Sequence, residues 1–252
     1  MKIKKHIPNF ITILNLVCGV FAILIFIQFT FPIDKGLRSL INRSYTFLEY
    51  GILLMIIATV LDFLDGFTAR LLKVQSEIGA QLDSLADMVT FGVAPGFLVY
   101  ATCSEFFPEH NLLKYIFILI PSFSALRLAK FNVDEEQTTY FKGLATPANA
   151  LFWIGMFYLI KSNHSDMIFY TLIALTILMS LLMTSNLRMF SLKLKNLKLE
   201  GDNIYRAILI LGAVILTIIF GMFTNILASI PFIIVLYILL SVHYHYTTRK
   251  TT

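Results

Sequence analysis

Asp62 and Asp65 lie three residues apart and Asp83 and Asp87 four apart, so on helices each pair shares one face. Only a short connection, Lys73 to about Ile78, separates the two segments. Two helices joined so tightly are antiparallel neighbours, and the four carboxylates then converge. Converging anions repel, and left alone some take up protons. Divalent cations resolve the repulsion, and an all-oxygen ligand set suits Mg²⁺ or Mn²⁺. Two such ions about 3.5–4 Å apart clamp a phosphoryl group with its entering and leaving oxygens.

The residues around the aspartates fit such a ligand. Gly66 follows Asp65, and Gly79 opens the next helical segment. A glycine inside a helix costs about 1 kcal/mol relative to alanine, a cost that makes sense where a bulky group must approach the backbone. Arg70 lies two turns after Asp62 on nearly the same face and could pair with a phosphate. Singly, each has a plainer reading: a turn, a solvated helix end, a cap, a topological anchor. Together they favour function, because carboxylates in or near a bilayer are costly unless used.

The elements that must position these residues are membrane helices. The chain of 252 residues is 58% hydrophobic and only 14% charged, against about 45–50% and 25% in soluble domains. Spans are expected at 8–31, 46–71, 79–103, 112–132, 146–162, 166–185, 206–222 and 226–246. The last two replace a single helix: residues 207 to 242 carry no Lys, Arg, Asp or Glu, and as one helix would measure about 54 Å against a core of about 30 Å. Gly221 to Asn225 and Pro231 offer the turn. The basic start is followed by an uncharged run from Ile7 to Ile33, too long for a signal-peptide core, so the first helix is read as retained. Gly92 and Pro95 are expected to bend the third helix.

With the N-terminus cytoplasmic, most of the 20 Lys and Arg residues fall on the cytoplasmic side. The exceptions are Lys35, Arg38, Arg43, Lys114 and Lys161. This asymmetry supports the orientation and the even number of spans. The positive charge therefore reports topology, and no nucleic-acid partner is expected. Residues 186 to 199 alternate Leu with Lys in part and read as a short strand, an interfacial helix or, more plainly, a basic loop held by anionic lipid. Cys18 and Cys103 suggest neither a disulfide framework nor a zinc site.

Asp62, Asp65, Gly66, Ala69, Arg70, Gly79, Asp83 and Asp87 fall at the spacing D-x2-D-G-x2-A-R-x8-G-x3-D-x3-D. That pattern resembles the motif of the CDP-alcohol phosphotransferase family, with every spacing kept. PNFITILNLVCG (8–19), LDSLADMVTFGVAPG (82–96), RLAKFN (127–132) and FKGLATPANA (141–150) are similar to one branch, the membrane phosphatidylserine synthases, as are SN at 185–186 and the FSLK that follows. The likeness covers roughly residues 8–200.

The resemblance implies an all-α, polytopic membrane helical bundle. It implies a catalytic six-helix core over 8–185 and an additional helical hairpin over 206–246, within one integral membrane domain of residues 1–252. It implies a divalent pair, Mg²⁺ or Mn²⁺, on Asp62, Asp65, Asp83 and Asp87, with Asp87 also the general base. Asp62, Gly66, Ala69, Arg70 and Gly79 would border the CDP group. By their spacing, Asn9, Thr12 and Asn15 line the first span at i, i+3 and i+6; Asn9 and Thr12 could meet the nucleotide or simply bond neighbouring helices. The substrates implied are CDP-diacylglycerol and L-serine, the products phosphatidylserine and CMP. A homodimer in a bacterial inner membrane, with the site facing the cytoplasm, completes the expectation.

A serine acceptor calls for a basic group to meet its carboxylate. Arg127 and Lys130, at the cytoplasmic end of the fourth span, and Asn132 beside them are the candidates; they serve equally as topological anchors. Thr146 and Pro147, at the start of the fifth span, are weaker candidates. The nearest competitor is the same chemistry on glycerol 3-phosphate, inositol phosphate or choline; a phosphorylated acceptor would want a denser basic cluster. A divalent-cation transporter would place its carboxylates near the midplane on paired, broken helices, and no repeat is visible.

Overall fold

The structure is a computed structural model, and it describes residues 6–31, 46–74, 76–110, 112–134, 141–161, 165–192 and 201–249. The N-terminal lysines, the loop carrying Lys35, Arg38 and Arg43, and the Lys-rich stretch 193–199 lie outside the described residues. The chain is an all-α polytopic membrane protein. Among the described residues, seven helical segments are long and apolar enough to cross a bilayer, and an eighth, Thr146–Ile160, is apolar but shorter.

The described chain divides into two compact units, Met1–Ala125 and Leu126–Thr252. The first holds α1 (Ile7–Thr30), α2 (Thr46–Leu72), α3 (Glu77–Asp87) and α4 (Ala94–Phe106), with a π-helical turn, Met88–Val93, joining α3 to α4. A 3₁₀ segment, Leu113–Ile118, leads into α5 (Leu119–Val133), within which the division falls. α1 lies along α2 and also meets α3, the π turn and α4. The close approach of α1 to the π turn depends on Gly19, where an added Cβ would stand 2.5 Å from the Thr90 hydroxyl oxygen. Thr90 in turn donates to the Asn15 carbonyl at 3.4 Å.

The expected bend of the third span takes the form of that π turn. The amide of Ala94 donates to Val89, five residues back. Pro95 stands at the start of α4; in an unbroken α-helix its ring would press on the carbonyl four residues earlier, and the wider turn relieves that clash.

The second unit holds the end of α5, then β1 (Phe141–Lys142), α6 (Thr146–Ile160), α7 (Asp166–Thr184), β2 (Arg188–Met189), α8 (Asp202–Phe223) and α9 (Ile230–Arg249), with a 3₁₀ turn, Ile226–Ser229, between the last two. The hairpin inferred from the overlong apolar run is present. α6 has 15 residues, about 22 Å of helix and short of a full hydrocarbon core. It is buried nearly all round, Phe152 to Phe157 without a break, as expected of a helix apolar on every side. β1 and β2 pair antiparallel, Phe141 opposite Met189. The strand reading of the 186–199 stretch thus holds for Arg188 and Met189.

Candidate active site

The corner between α2 and α3 is fixed by capping. The Val74 amide donates to the Ala69 carbonyl at 3.1 Å and the Lys73 amide to Arg70 at 3.2 Å, the bond pair of a Schellman motif. Lys73 takes the left-handed position, φ 53°. Ser76 caps α3, its Oγ accepting the Gly79 amide at 3.0 Å, and Glu77 adds a negative charge to the first turn.

This corner brings the aspartates together. One carboxylate oxygen from each of Asp62, Asp83 and Asp87 lies within 4.8 Å of the others. Asp65 is only 5% exposed and close enough to Asp62 and Asp83 for their charges to interact. Its polar neighbours are Thr12, the Gly66 backbone and Arg70, yet its Oδ2 is buried with no hydrogen-bond partner among the described residues. Crowded carboxylates with an unsatisfied oxygen are costly unless a cation relieves them. The donor set is carboxylate oxygen throughout, which fits a hard divalent ion such as Mg²⁺ or Mn²⁺.

Beside the carboxylates opens a cavity of about 520 Å³. Asn9 and Thr12 from α1, Asp65, Gly66 and Ala69 from α2, and Gly79 and Asp83 from α3 line it. Both motif glycines are sites of close approach. An added Cβ on Gly79 would lie 3.0 Å from the Asn9 Oδ1 and 3.0 Å from the Ser76 Oγ, and one on Gly66 3.3 Å from an Arg70 Nη1. Arg70 thus folds back over Gly66. Asn15, grouped with Asn9 and Thr12 by spacing, is fully buried, with neither carboxamide atom hydrogen-bonded among the described residues.

The three acceptor candidates belong to the second unit and differ from one another. Arg127 is buried, 8% exposed, with its guanidinium 5.1 Å from the Phe131 ring centroid. Lys130 is exposed and donates to the Thr184 carbonyl at 3.2 Å. Asn132 is exposed. Position at the end of the fourth span was the argument for all three, but a single helical turn carries side chains to opposite faces.

Sequence reasoning missed Ser76 and Glu77, which also line the cavity; a serine three residues before Gly79, followed by a glutamate, is a readable cap signal. It missed the π turn directly after Asp87, for which Pro95 was the clue.

Residues 5–219 match the profile of the CDP-alcohol phosphatidyltransferase family. The chain is 34% identical over 143 residues to a CDP-diacylglycerol–serine O-phosphatidyltransferase of Bacillus subtilis, covering 57% of this chain and 70% of that protein. It is 34% identical over 182 residues to the enzyme so named in Methanocaldococcus jannaschii, 72% of each chain. To that of Saccharomyces cerevisiae it is 33% identical over 167 residues, 63% of this chain and 55% of the yeast protein.

Proposed function

Because this chain belongs to the CDP-alcohol phosphatidyltransferase family, we propose that it transfers the phosphatidyl group of CDP-diacylglycerol to the hydroxyl of L-serine, giving phosphatidylserine and CMP. The observation that carries the chemistry is the convergence of Asp62, Asp83 and Asp87 within 4.8 Å beside a cavity lined by motif residues. The serine acceptor draws its support from the relatives' names.

Divalent ions held by Asp62, Asp65, Asp83 and Asp87 would supply charge neutralisation at the pyrophosphate. The chain's own residues do the rest. Arg70 pairs with a phosphate oxygen. Gly66, Ala69 and Gly79 leave room for the cytidine nucleotide, which Asn9 and Thr12 border. Asp87 takes the proton of the serine hydroxyl. The serine oxygen forms a bond to the phosphorus next to diacylglycerol, and the bond from that phosphorus to the CMP oxygen breaks, CMP leaving with the electron pair. This is positioning plus electrostatic stabilisation. On this reading the site faces the cytoplasm, as the Lys and Arg distribution favours. Arg127, Lys130 and Asn132 stand as the acceptor set proposed from sequence, and the homodimer is carried over from the resemblance.

The test is direct. Purified protein receives CDP-diacylglycerol, Mg²⁺ or Mn²⁺ and labelled serine, and CMP release is followed with lipid labelling. Label in phosphatidylserine with matching CMP is expected. Lipid formed from glycerol 3-phosphate and none from serine would overturn the acceptor.

A further inference from the structure

One buried polar side chain of the first unit has no part in the mechanism above. Asn15 is fully buried in α1, and neither its carboxamide nitrogen nor its carboxamide oxygen has a hydrogen-bond partner among the described residues. Leaving such a group unmet costs about 1–3 kcal/mol. A leucine has the same branching and would carry no such cost. Asn15 belongs to the buried stripe of α1, between Thr12 and Gly19, so it faces the helices packed on that side.

Contacts on either flank fix what Asn15 is level with. α1 and α2 are antiparallel neighbours. Thr12 has Asp65 beside it, and an added Cβ on Gly51 would strike the Phe26 ring, so one register runs along the whole contact. Three residues on from Thr12 and three back from Asp65 stand Asn15 and Asp62. On the other flank, α1 runs parallel to α3 and the π turn. Gly79 abuts Asn9, and Gly19 abuts Thr90. Between these anchors Asn15 comes level with Ala86 and Asp87. Thr90 donates to the Asn15 carbonyl, and in a helix the carbonyl points forward while the Cβ leans back. The carboxamide therefore leans away from Thr90, toward the turn that carries Asp87. Asp62 and Asp87 are hydrogen-bonded to each other, so the level of Asn15 is the level of that pair.

A carboxamide nitrogen carries two hydrogens to donate, and a carboxylate that holds a cation keeps lone pairs that such a donor can fix. No ligand has to reach Asn15, so its burial is compatible with this use. We propose that Asn15 is a positioning residue: its carboxamide NH₂ donates to the Asp62–Asp87 pair when divalent ions are held, and so sets the carboxylate oxygens for the ions and, at Asp87, for the acceptor's proton. It acts through the aspartates and touches neither substrate. This rests on the metal reading given above. The unmet amide is then a stability cost retained for function.

The full chain, purified in detergent, tests it by titrating Mn²⁺ against Tm with no substrate present. In Asn15→Leu the Tm in EDTA is expected to equal or exceed that of the wild type, because an apolar group replaces an unmet polar one. The Mn²⁺ concentration that gives half the Tm rise should go up about tenfold, the effect of losing a donor behind metal ligands. At saturating Mn²⁺, kcat should fall about tenfold, with the KM for serine and for CDP-diacylglycerol each held within about twofold. Asn15→Ala, which cannot overpack the site, should shift the Mn²⁺ half-saturation in the same direction. If the wild type responds to Mn²⁺ and both variants keep its half-saturation, the proposal falls, and Asn15 only packs between helices. A wild type whose Tm ignores Mn²⁺ overturns the metal reading, and this proposal with it.

Discussion

Gly79 serves the corner in two ways that pull against each other. Its amide completes the Ser76 cap, which any residue type could do. Its missing side chain leaves the Asn9 carboxamide its place at the cavity wall, which only glycine allows without movement. Gly79→Val should therefore crowd the Asn9 carboxamide and the Ser76 cap oxygen alike. The expected outcome is a KM for CDP-diacylglycerol raised about tenfold or more, the loss of about one good hydrogen bond to a charged ligand, with the KM for serine little changed. An unaltered KM for CDP-diacylglycerol would remove Gly79 and Asn9 from the nucleotide site. At this scale the sequence was most informative. Carboxylates and glycines at fixed spacing leave few geometries open. A buried amide such as Asn15 reads on paper like any polar residue along a helix.

The corner between α2 and α3 turns at Lys73, whose φ of 53° is a backbone conformation that favours glycine. A side chain there costs about 1–2 kcal/mol, partly offset by the smaller entropy that a non-glycine residue loses on folding. Lys73→Gly should stabilise the protein by about 0.5–1 kcal/mol, read as a raised Tm in detergent, with turnover unchanged. A lowered Tm would mean that the lysine side chain makes a compensating contact. The helices themselves were legible from apolar run length, and the α8–α9 hairpin from a run too long for one crossing. The π turn was legible only as a bend at Gly92 and Pro95, because wider backbone bonding leaves no periodicity of its own in so short a stretch. α6 begins at Thr146 as expected and ends at Ile160, two residues before its expected end.

For the whole molecule, four carboxylates gathered at one corner make folding and divalent-ion binding a linked equilibrium. Ions that bind the folded chain at about 100 times their Kd stabilise it by about 2.7 kcal/mol. Mg²⁺ or Mn²⁺ should accordingly raise the Tm, EDTA should reverse the rise, and Asp83→Asn should shrink it. A Tm indifferent to both ions and to EDTA, with turnover intact after chelation, would sink the metal reading. The sequence led to this prediction through charge repulsion alone. It could not separate buried Arg127 from exposed Lys130, because which face of a helix is covered depends on neighbours far along the chain.

The brevity of the α2–α3 connection also bears on how the protein is made. Asp62 and Asp87 are 25 positions apart, and the entropy of closing a loop grows only slowly with its length. Among the described residues, those that line the cavity at the carboxylate corner come from α1, α2, α3 and the α2–α3 connection, inside the first unit. Chains emerge N-terminus first and tend to fold unit by unit. The charged corner is therefore ready to assemble during synthesis, before the second unit has left the ribosome.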